Sequence, residues 1–277
     1  MNKCLRLSVL VFLLFAGCEL DPLPVIFHPN VETRVKESFA LDTIPTAPIS
    51  ADTFRFAVFG DVHIGKPSGS YLPEFIRAAD SLGIDFFCVA GDLTDHGAAS
   101  EYDSVKTLLS SIAPYLVTIG NHDLYRSNSW EQFKKSFGPS CYSISVNHRL
   151  KLIFLDTGEG RLGANQFDWL KDQLGDSAAI KLVITHFPIY DDQTPSIFRL
   201  ASAAERQKLL SLLKQYRVYA YCAGHIHGFR HNEIAGVNHF ICGTMSKSLD
   251  FGEPGFLLFC IKADSITWQF VRFSAQQ

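Results

Sequence analysis

Three observations predict an α/β fold with more than one sheet. Through the first half of the chain, apolar runs of strand length alternate with stretches of helical period, a pattern that predicts parallel strands joined by crossovers. A hairpin signal in the middle and a run of strands at the end then bring in antiparallel pairing, and with it a second sheet packed on the first. The third observation is where the strands stop. Five of them run out into Asp, Asn or His, most directly after a glycine. In open α/β sheets that edge is where ligands bind.

Taken in order, residues 1 to 17 carry Lys3 and Arg6, an apolar core from Leu7 to Phe15, and the small residues Ala16 and Gly17 ahead of Cys18. This is the shape of a secretory signal, and the apolar run is shorter than the roughly 20 residues a membrane span needs. The Ala16-Gly17-Cys18 ending, with Phe15 where Leu is usual, resembles the lipobox of bacterial lipoproteins. That resemblance implies an exported, envelope-located protein with a lipid anchor on Cys18; plain secretion with an incidental Cys18 is the alternative. Asp21 to Asp52 contains Pro22, Pro24, Pro29, Pro45 and Pro48 without a steady period, so residues 18–52 are expected to form an extended tether. The folded body is then expected over 53–277, about 225 residues, a length suited to one α/β domain.

Loss of Lys3 and Arg6 with the leader would leave 25 less two basic residues against 28 acidic ones, a net of about −5. No nucleic-acid polymer is expected as a partner of so acidic a chain. Beyond Cys4 and Cys18, five cysteines remain: Cys88, Cys141, Cys222, Cys242 and Cys260. Their number is odd, four sit inside apolar runs, and none has zinc-knot spacing, so they read as buried small hydrophobes.

Phe54 to Phe59 is an apolar strand that ends in Gly60-Asp61-Val62-His63. Tyr71 to Leu82 reads as a helix, and Ile84 to Ala90 as a strand ending in Gly91-Asp92-Leu93-Thr94-Asp95. Ser100 to Ile112 has helical spacing and leads into Tyr115 to Ile119, whose Leu116, Val117 and Ile119 favour a pleated backbone. This strand breaks into Gly120-Asn121-His122-Asp123, which fits a metal-ligand amide, a histidine for proton transfer and a carboxylate to orient it, or else an ordinary turn. Cys141 to Val146 and Leu150 to Leu155 flank Asn147 and His148 as a hairpin. Asn165 to Leu174 is a helix, and Ile180 to Thr185 a strand ending in His186-Phe187-Pro188. Ser202 to Tyr216 is a helix with Ser202 and Glu205 spaced as a capping box; Val218 to Ala223 is a strand that breaks at Gly224 into His225-Ile226-His227. Glu233 to Cys242, Phe256 to Ile261 and Ile266 to Val271 read as further strands.

The five ends together hold Asp61, His63, Asp92, Asn121, His122, His186, His225 and His227. Each alone is an unremarkable turn residue or a satisfied polar group; their recurrence at predicted strand ends is what carries weight. Neutral imidazoles with carboxylates and no thiolate suit divalent first-row metals. Seven oxygen and nitrogen donors oversupply one ion, whereas a pair sharing a bridging carboxylate would use them all.

In this order DxH, GD, GNHD, an isolated His and GHxH resemble the signature of the calcineurin-like metallophosphoesterases, and the resemblance covers nearly all of the chain from Phe54 onward. It implies an αββα sandwich of two mixed sheets flanked by helices, with a dimetal site at the C-terminal ends of the strands. By position it implies that Asp61, His63 and His227 bind one metal, that Asn121, His186 and His225 bind the other, and that Asp92 bridges. It further implies His122 as the acid facing the reacting phosphate and Asp123 as its orienter. The expected cofactors are two divalent ions, Mn, Fe or Zn, and the expected partner is a small phosphate mono- or diester attacked by a hydroxide between the ions. Purple acid phosphatases of the family place a metal-binding Tyr where this chain has Asp95, so an Fe(III)–phenolate centre is not expected. The GDLTD run resembles the class III cyclic-nucleotide phosphodiesterases. Loops Leu124 to Trp130, Gly158 to Gly163 and Ile189 to Ala201 are expected to wall the pocket, with Arg126, Arg161 and Arg199 as candidate substrate contacts. Two other readings stay open: a mononuclear hydrolase, and a non-catalytic envelope lipoprotein that uses the fold as a binding module.

Overall fold

Strands that are apolar on both faces must be covered on both, and this requirement sets the layering. A computed structural model describes residues 30–273 apart from 48, 113, 177, 179, 249, 250 and 264; the expected leader and Cys18 lie outside the described residues. In chain order the elements are α1 (Val31–Phe39), β1 (Thr53–Phe59), α2 (Leu72–Leu82), β2 (Phe86–Ala90), α3 (Ala99–Leu109), β3 (Tyr115–Thr118), α4 (Ser129–Phe137), β4 (Tyr142–Val146) and β5 (Leu150–Phe154). There follow α5 (Ala164–Leu174), β6 (Ile180–Ile184), α6 (Ala203–Gln215), β7 (Ala220–Ala223), β8 (Phe229–Ile234), β9 (Val237–Cys242), β10 (Gly255–Lys262) and β11 (Ser265–Arg272).

Two mixed sheets result. One runs β11-β10-β1-β2-β3, with β1, β2 and β3 parallel and β10 antiparallel to β1. The other runs β4-β5-β6-β7-β9-β8, parallel from β5 to β9 and antiparallel at both edges. Period-two alternation sorts the side chains: Phe54, Phe56 and Val58 of β1 join Leu152, Leu182, Cys222 and Phe240 between the sheets. Ala57 and Phe59 turn the other way, onto Phe75 of α2, Val105 of α3 and Phe133 of α4. The second sheet presents Ile153, Val183 and Tyr221 to Phe167 of α5 and Leu209 of α6. The three apolar layers make the expected αββα sandwich. Cys88, Cys141, Cys222 and Cys242 are free and buried, as expected of core thiols, whereas Cys260 is free and only half-buried.

Four features differ from the sequence-based expectation. The tether expected over 18–52 is corrected for residues 31–39, which form a packed helix. Asn30 caps α1 by accepting from the amide of Thr33 at 3.0 Å, and Val31 and Val35 are buried against Cys141 and Trp169. The helix also serves its neighbours. The Glu32 carboxylate accepts from the amides of Ala164 and Asn165, capping α5, whose own Ncap residue Gly163 has no side chain to do so. Glu37 accepts from Trp130 Nε1 at 2.7 Å and from Lys134 at 2.6 Å. Second, the loop expected to end at Trp130 gives way to α4, which buries Trp130, Phe133 and Phe137 at helical spacing. Third, the single strand expected over Glu233 to Cys242 is the hairpin of β8 and β9, turned at Ala235 and Gly236, both at positive φ (55° and 80°). Fourth, only half of the capping box forms. Ser202 Oγ accepts from Glu205 N at 3.2 Å, while the Glu205 carboxylate leaves for the amides of Leu162 and Gly163.

Candidate metal centre

The loops that follow β1, β2, β3, β6 and β7 meet at one edge of the sandwich, and their backbones are tied before any side chain acts. Asp61 N donates to Gly91 O at 3.1 Å, and the amides of Val62 and His63 both donate to Asp92 O, at 2.8 and 3.0 Å. Asp61, His63, Asp92 and His225 all adopt positive φ, between 48° and 72°. Non-glycine residues rarely stand there, and strain of this kind gathers at functional sites. Two glycines permit the crowding: a Cβ on Gly120 would overlap Asp92, and one on Gly91 would come within 2.7 Å of His186 Nδ1.

The donor atoms named from the sequence come together at this edge. Asp92 Oδ2 stands between two imidazoles, 3.6 Å from His63 Nε2 and 3.2 Å from His186 Nε2. On one side His63 Nε2 is 3.0 Å from His227 Nε2, which is 3.8 Å from Asp61 Oδ1. On the other, His186 Nε2 is 2.9 Å from Asn121 Oδ1 and 3.2 Å from His225 Nδ1. Asp61, His63 and His227 thus form one group able to hold a cation, and Asp92, His186 and His225 another.

The electrostatics fit positive charge. Asp61 Oδ2 is buried with no hydrogen-bond partner, a cost that a cation would remove. Burial pushes the Asp61 carboxyl up, and it pushes the His63 imidazole down to about 4. His225 is held well below the ordinary imidazole range by burial and by His186. Both rings are therefore neutral, the form that carries a lone pair for a metal. Asp92 and His186 show the complement. Burial opposes charge on each, but their mutual attraction prevails, holding Asp92 well below the usual carboxylate range and lifting His186 to about 9. A positive charge is wanted between those two atoms.

Supporting contacts set the rings. His186 Nδ1 donates to Ala90 O at 2.9 Å, which turns its Nε2 lone pair to the centre, and His63 Nδ1 lies 3.2 Å from Asp95 Oδ1. His122 Nδ1 donates to the carbonyl of Asp95 at 2.8 Å, leaving its Nε2 for the centre; the imidazole also lies close to His63 and Asp92. Asp95 is the residue that sequence reasoning used only as the absence of a Tyr. Its signal was the second carboxylate of GDLTD. Asp123, expected to orient His122, is corrected: its buried carboxylate accepts from Gly120 N (3.0 Å), Leu93 N (3.2 Å), Thr94 N (2.9 Å) and Thr94 Oγ1 (2.9 Å). It fastens two ligand-bearing turns together, and the Asp95 carbonyl does the orienting.

Of the three arginines, Arg126 is exposed and its Nε donates to His96 O, Arg161 is exposed, and Arg199 is half-buried with its Nε unpartnered. Among the described residues no hydrogen bond joins any of them to the donors. Aromatic rings flank the centre instead. Phe187 lies 3.9 Å and Phe198 5.7 Å from the His225 ring, Phe251 stands 5.2 Å from Phe198, and Tyr125 is 4.8 Å from His122.

This fold and donor set define a metal-dependent phosphoric ester hydrolase. The chain belongs to the calcineurin-like phosphoesterase family, whose family model matches residues 54–229. It is 21% identical over 239 residues to a probable cyclic nucleotide phosphodiesterase of Fibrobacter succinogenes, covering 79% of this chain and 89% of that protein. In fold it is similar to the purple acid phosphatase PPD1 of yellow lupin (Lupinus luteus) seeds, with a TM-score of 0.69 at 15% identity over 82% of this chain and 52% of that one. It is similar also to GAP50, described as the anchor in the inner membrane complex of Plasmodium, with a TM-score of 0.62 at 19% identity over 79% and 84%.

Proposed function

We propose that the chain hydrolyses a small phosphate diester at a two-cation centre. Asp61, His63 and His227 would hold one divalent ion, Asn121, His186 and His225 the other, and Asp92 both. The observation that carries this reading is the place of Asp92 Oδ2 between His63 Nε2 and His186 Nε2, where one carboxylate oxygen serves both donor groups. Bound there, Mn, Fe or Zn ions would supply a water of lowered pKa and an electrophilic hold on the phosphoryl oxygens.

The protein's own groups do the rest. His122, with Nδ1 fixed on the Asp95 carbonyl, offers Nε2 as the proton donor to the leaving oxygen. Asp123 holds the Asp92 and Asn121 turns in register. Phe198, Phe251 and Tyr125 give apolar faces to a planar substituent of the ester. That surround, together with the relative named as a probable cyclic nucleotide phosphodiesterase, supports a diester bearing a ring. A carboxylate at Asp95 in place of a phenol argues for an all-divalent centre.

The test is a panel of cyclic nucleotides, bis-p-nitrophenyl phosphate and matched monoesters on protein lacking residues 1–20, supplied in turn with Mn²⁺, Fe²⁺ or Zn²⁺. Asp92→Asn serves as the inactive, metal-depleted control. Diester turnover is expected to exceed monoester turnover; the reverse order would overturn the diesterase reading, and two full metal equivalents in Asp92→Asn would remove the bridge. The fold's similarity to an anchor protein favours testing the second reading, a binding module, on the same sample. A module of that kind would hold no metal and turn over nothing on the panel.

A further inference from the structure

We propose that Arg34, on the N-terminal helix α1, is a positioning residue for one half of the metal centre, that of Asn121, His186 and His225. The inference rests on the two-cation reading. Arg34 is fully buried and grips Asp156 with a two-pronged fork, Nε to Oδ2 at 2.9 Å and Nη2 to Oδ1 at 2.8 Å. Its Nη1 donates to Glu159 at 2.8 Å. A guanidinium spanning Asp156 and Glu159 clamps the turn between them.

That turn touches the centre at two points. Asp156 Oδ1 also accepts from Gly158 N at 3.2 Å, which shapes the turn, and Thr157 sits at its middle. Thr157 Oγ1 accepts from the amides of His186 (3.2 Å) and Phe187 (2.9 Å) and pairs with Thr185 Oγ1 at 2.7 Å. The backbone of His186 therefore hangs from the clamped turn. At the second point, the Cβ position of Gly158 is 3.0 Å from Gly120 O, so the turn abuts the loop that carries Asn121. Asp61 and His63 have no such link to it among the described contacts. The clamp thus bears on the half of the centre that holds His186 and Asn121.

Neighbours on α1 supply the control. Glu37 docks the same helix by accepting from Trp130 and Lys134, away from the turn. If α1 only braces the body, Arg34→Lys, which keeps the charge and loses the fork, should behave like Glu37→Gln. If Arg34 positions the turn, the two variants part.

The experiment measures stepwise Mn²⁺ affinities by titration calorimetry on the chain lacking residues 1–20, with melting temperature recorded without metal. Arg34→Lys is expected to weaken one of the two Mn²⁺ affinities by about tenfold and to leave the other unchanged, the size seen when supporting contacts to ligands are lost. Glu37→Gln should lower the melting temperature and leave both affinities unchanged. In a His227→Ala background the weakening by Arg34→Lys should persist, and in Asn121→Ala it should vanish, which assigns it to the Asn121 half. Unchanged affinities in Arg34→Lys, equal weakening of both, or parallel weakening in Glu37→Gln would overturn the proposal. A wild-type chain that binds fewer than two ions would overturn the two-cation reading itself, a result read before any variant is made.

Discussion

On the proposed mechanism the two ring nitrogens of His122 have separate duties, and their separation gives the clearest kinetic signature. Nδ1 is committed to the Asp95 carbonyl at 2.8 Å, so only Nε2 can deliver a proton to a departing alkoxide. General acid catalysis is worth about 10² to 10⁴ in rate, and p-nitrophenolate hardly needs it. His122→Ala is expected to lose at least about tenfold more kcat on an alkyl phosphate ester than on a p-nitrophenyl ester while keeping its metal. Equal losses, with metal retained, would assign His122 to electrostatic stabilisation of the phosphoryl group instead. The donors were legible because each lies in a turn that follows a buried strand, where a polar residue has few other reasons to recur. The carboxylates beside them were not, because the role of Asp123 lies in partners about thirty residues upstream, Leu93 and Thr94. Adjacency to His122 pointed to the wrong one. Asp95 acts on His122 through a main-chain carbonyl, which residue type cannot announce.

At the scale of elements, strands and long helices were legible from their periods, and the departures have physical causes. α1 offers one apolar residue per turn, Val31 and Val35, and is held by Glu32, Arg34 and Glu37, whose partners lie about a hundred residues away or more. A helix stabilised by distant polar contacts reads locally as a polar, proline-flanked linker. α4 carried the apolar spacing of Trp130, Phe133 and Phe137 but begins shortly after the turn at Gly120 to Asp123, where loop chemistry dominates. The loop after β6 yields a prediction of its own. Its Ile189 amide donates to His239 Nε2 at 3.2 Å, pinning it to β9. Burial pushes the His239 imidazole down to about 4, with Asp191 pulling upward and His231 downward. Protons therefore bind the unfolded chain first as pH falls below about 6.5, so this stability is present above that value and is lost progressively towards pH 4. The loss attributable to His239 is up to about 3 kcal/mol. Melting curves from pH 7.5 to 5 should show a shallower decline in His239→Gln than in wild type; superimposable slopes would remove His239 as the cause.

For the whole molecule, the sandwich leaves all five loops of the centre on one edge, while α1 packs against α5, the helix under the second sheet. No helix among the described residues is long and apolar enough to cross a membrane. We propose the lipid on Cys18 as the anchor. Cys18→Ser should leave the protein unlabelled by fatty acid and shift it from the membrane pellet to the soluble fraction, with no change in melting temperature. Wholly membrane-bound Cys18→Ser protein would exclude the anchor. The docking of α1 then sets a length. A tether reaching to Thr53 could extend about 120 Å from Cys18, whereas chain from Cys18 to Val31 can extend only about 45 Å. On the longer leash the enzyme would sample bulk solvent. On the shorter one, an anchored enzyme would work within about one protein diameter of the bilayer, where it would meet esters released or displayed at the surface before those that diffuse past.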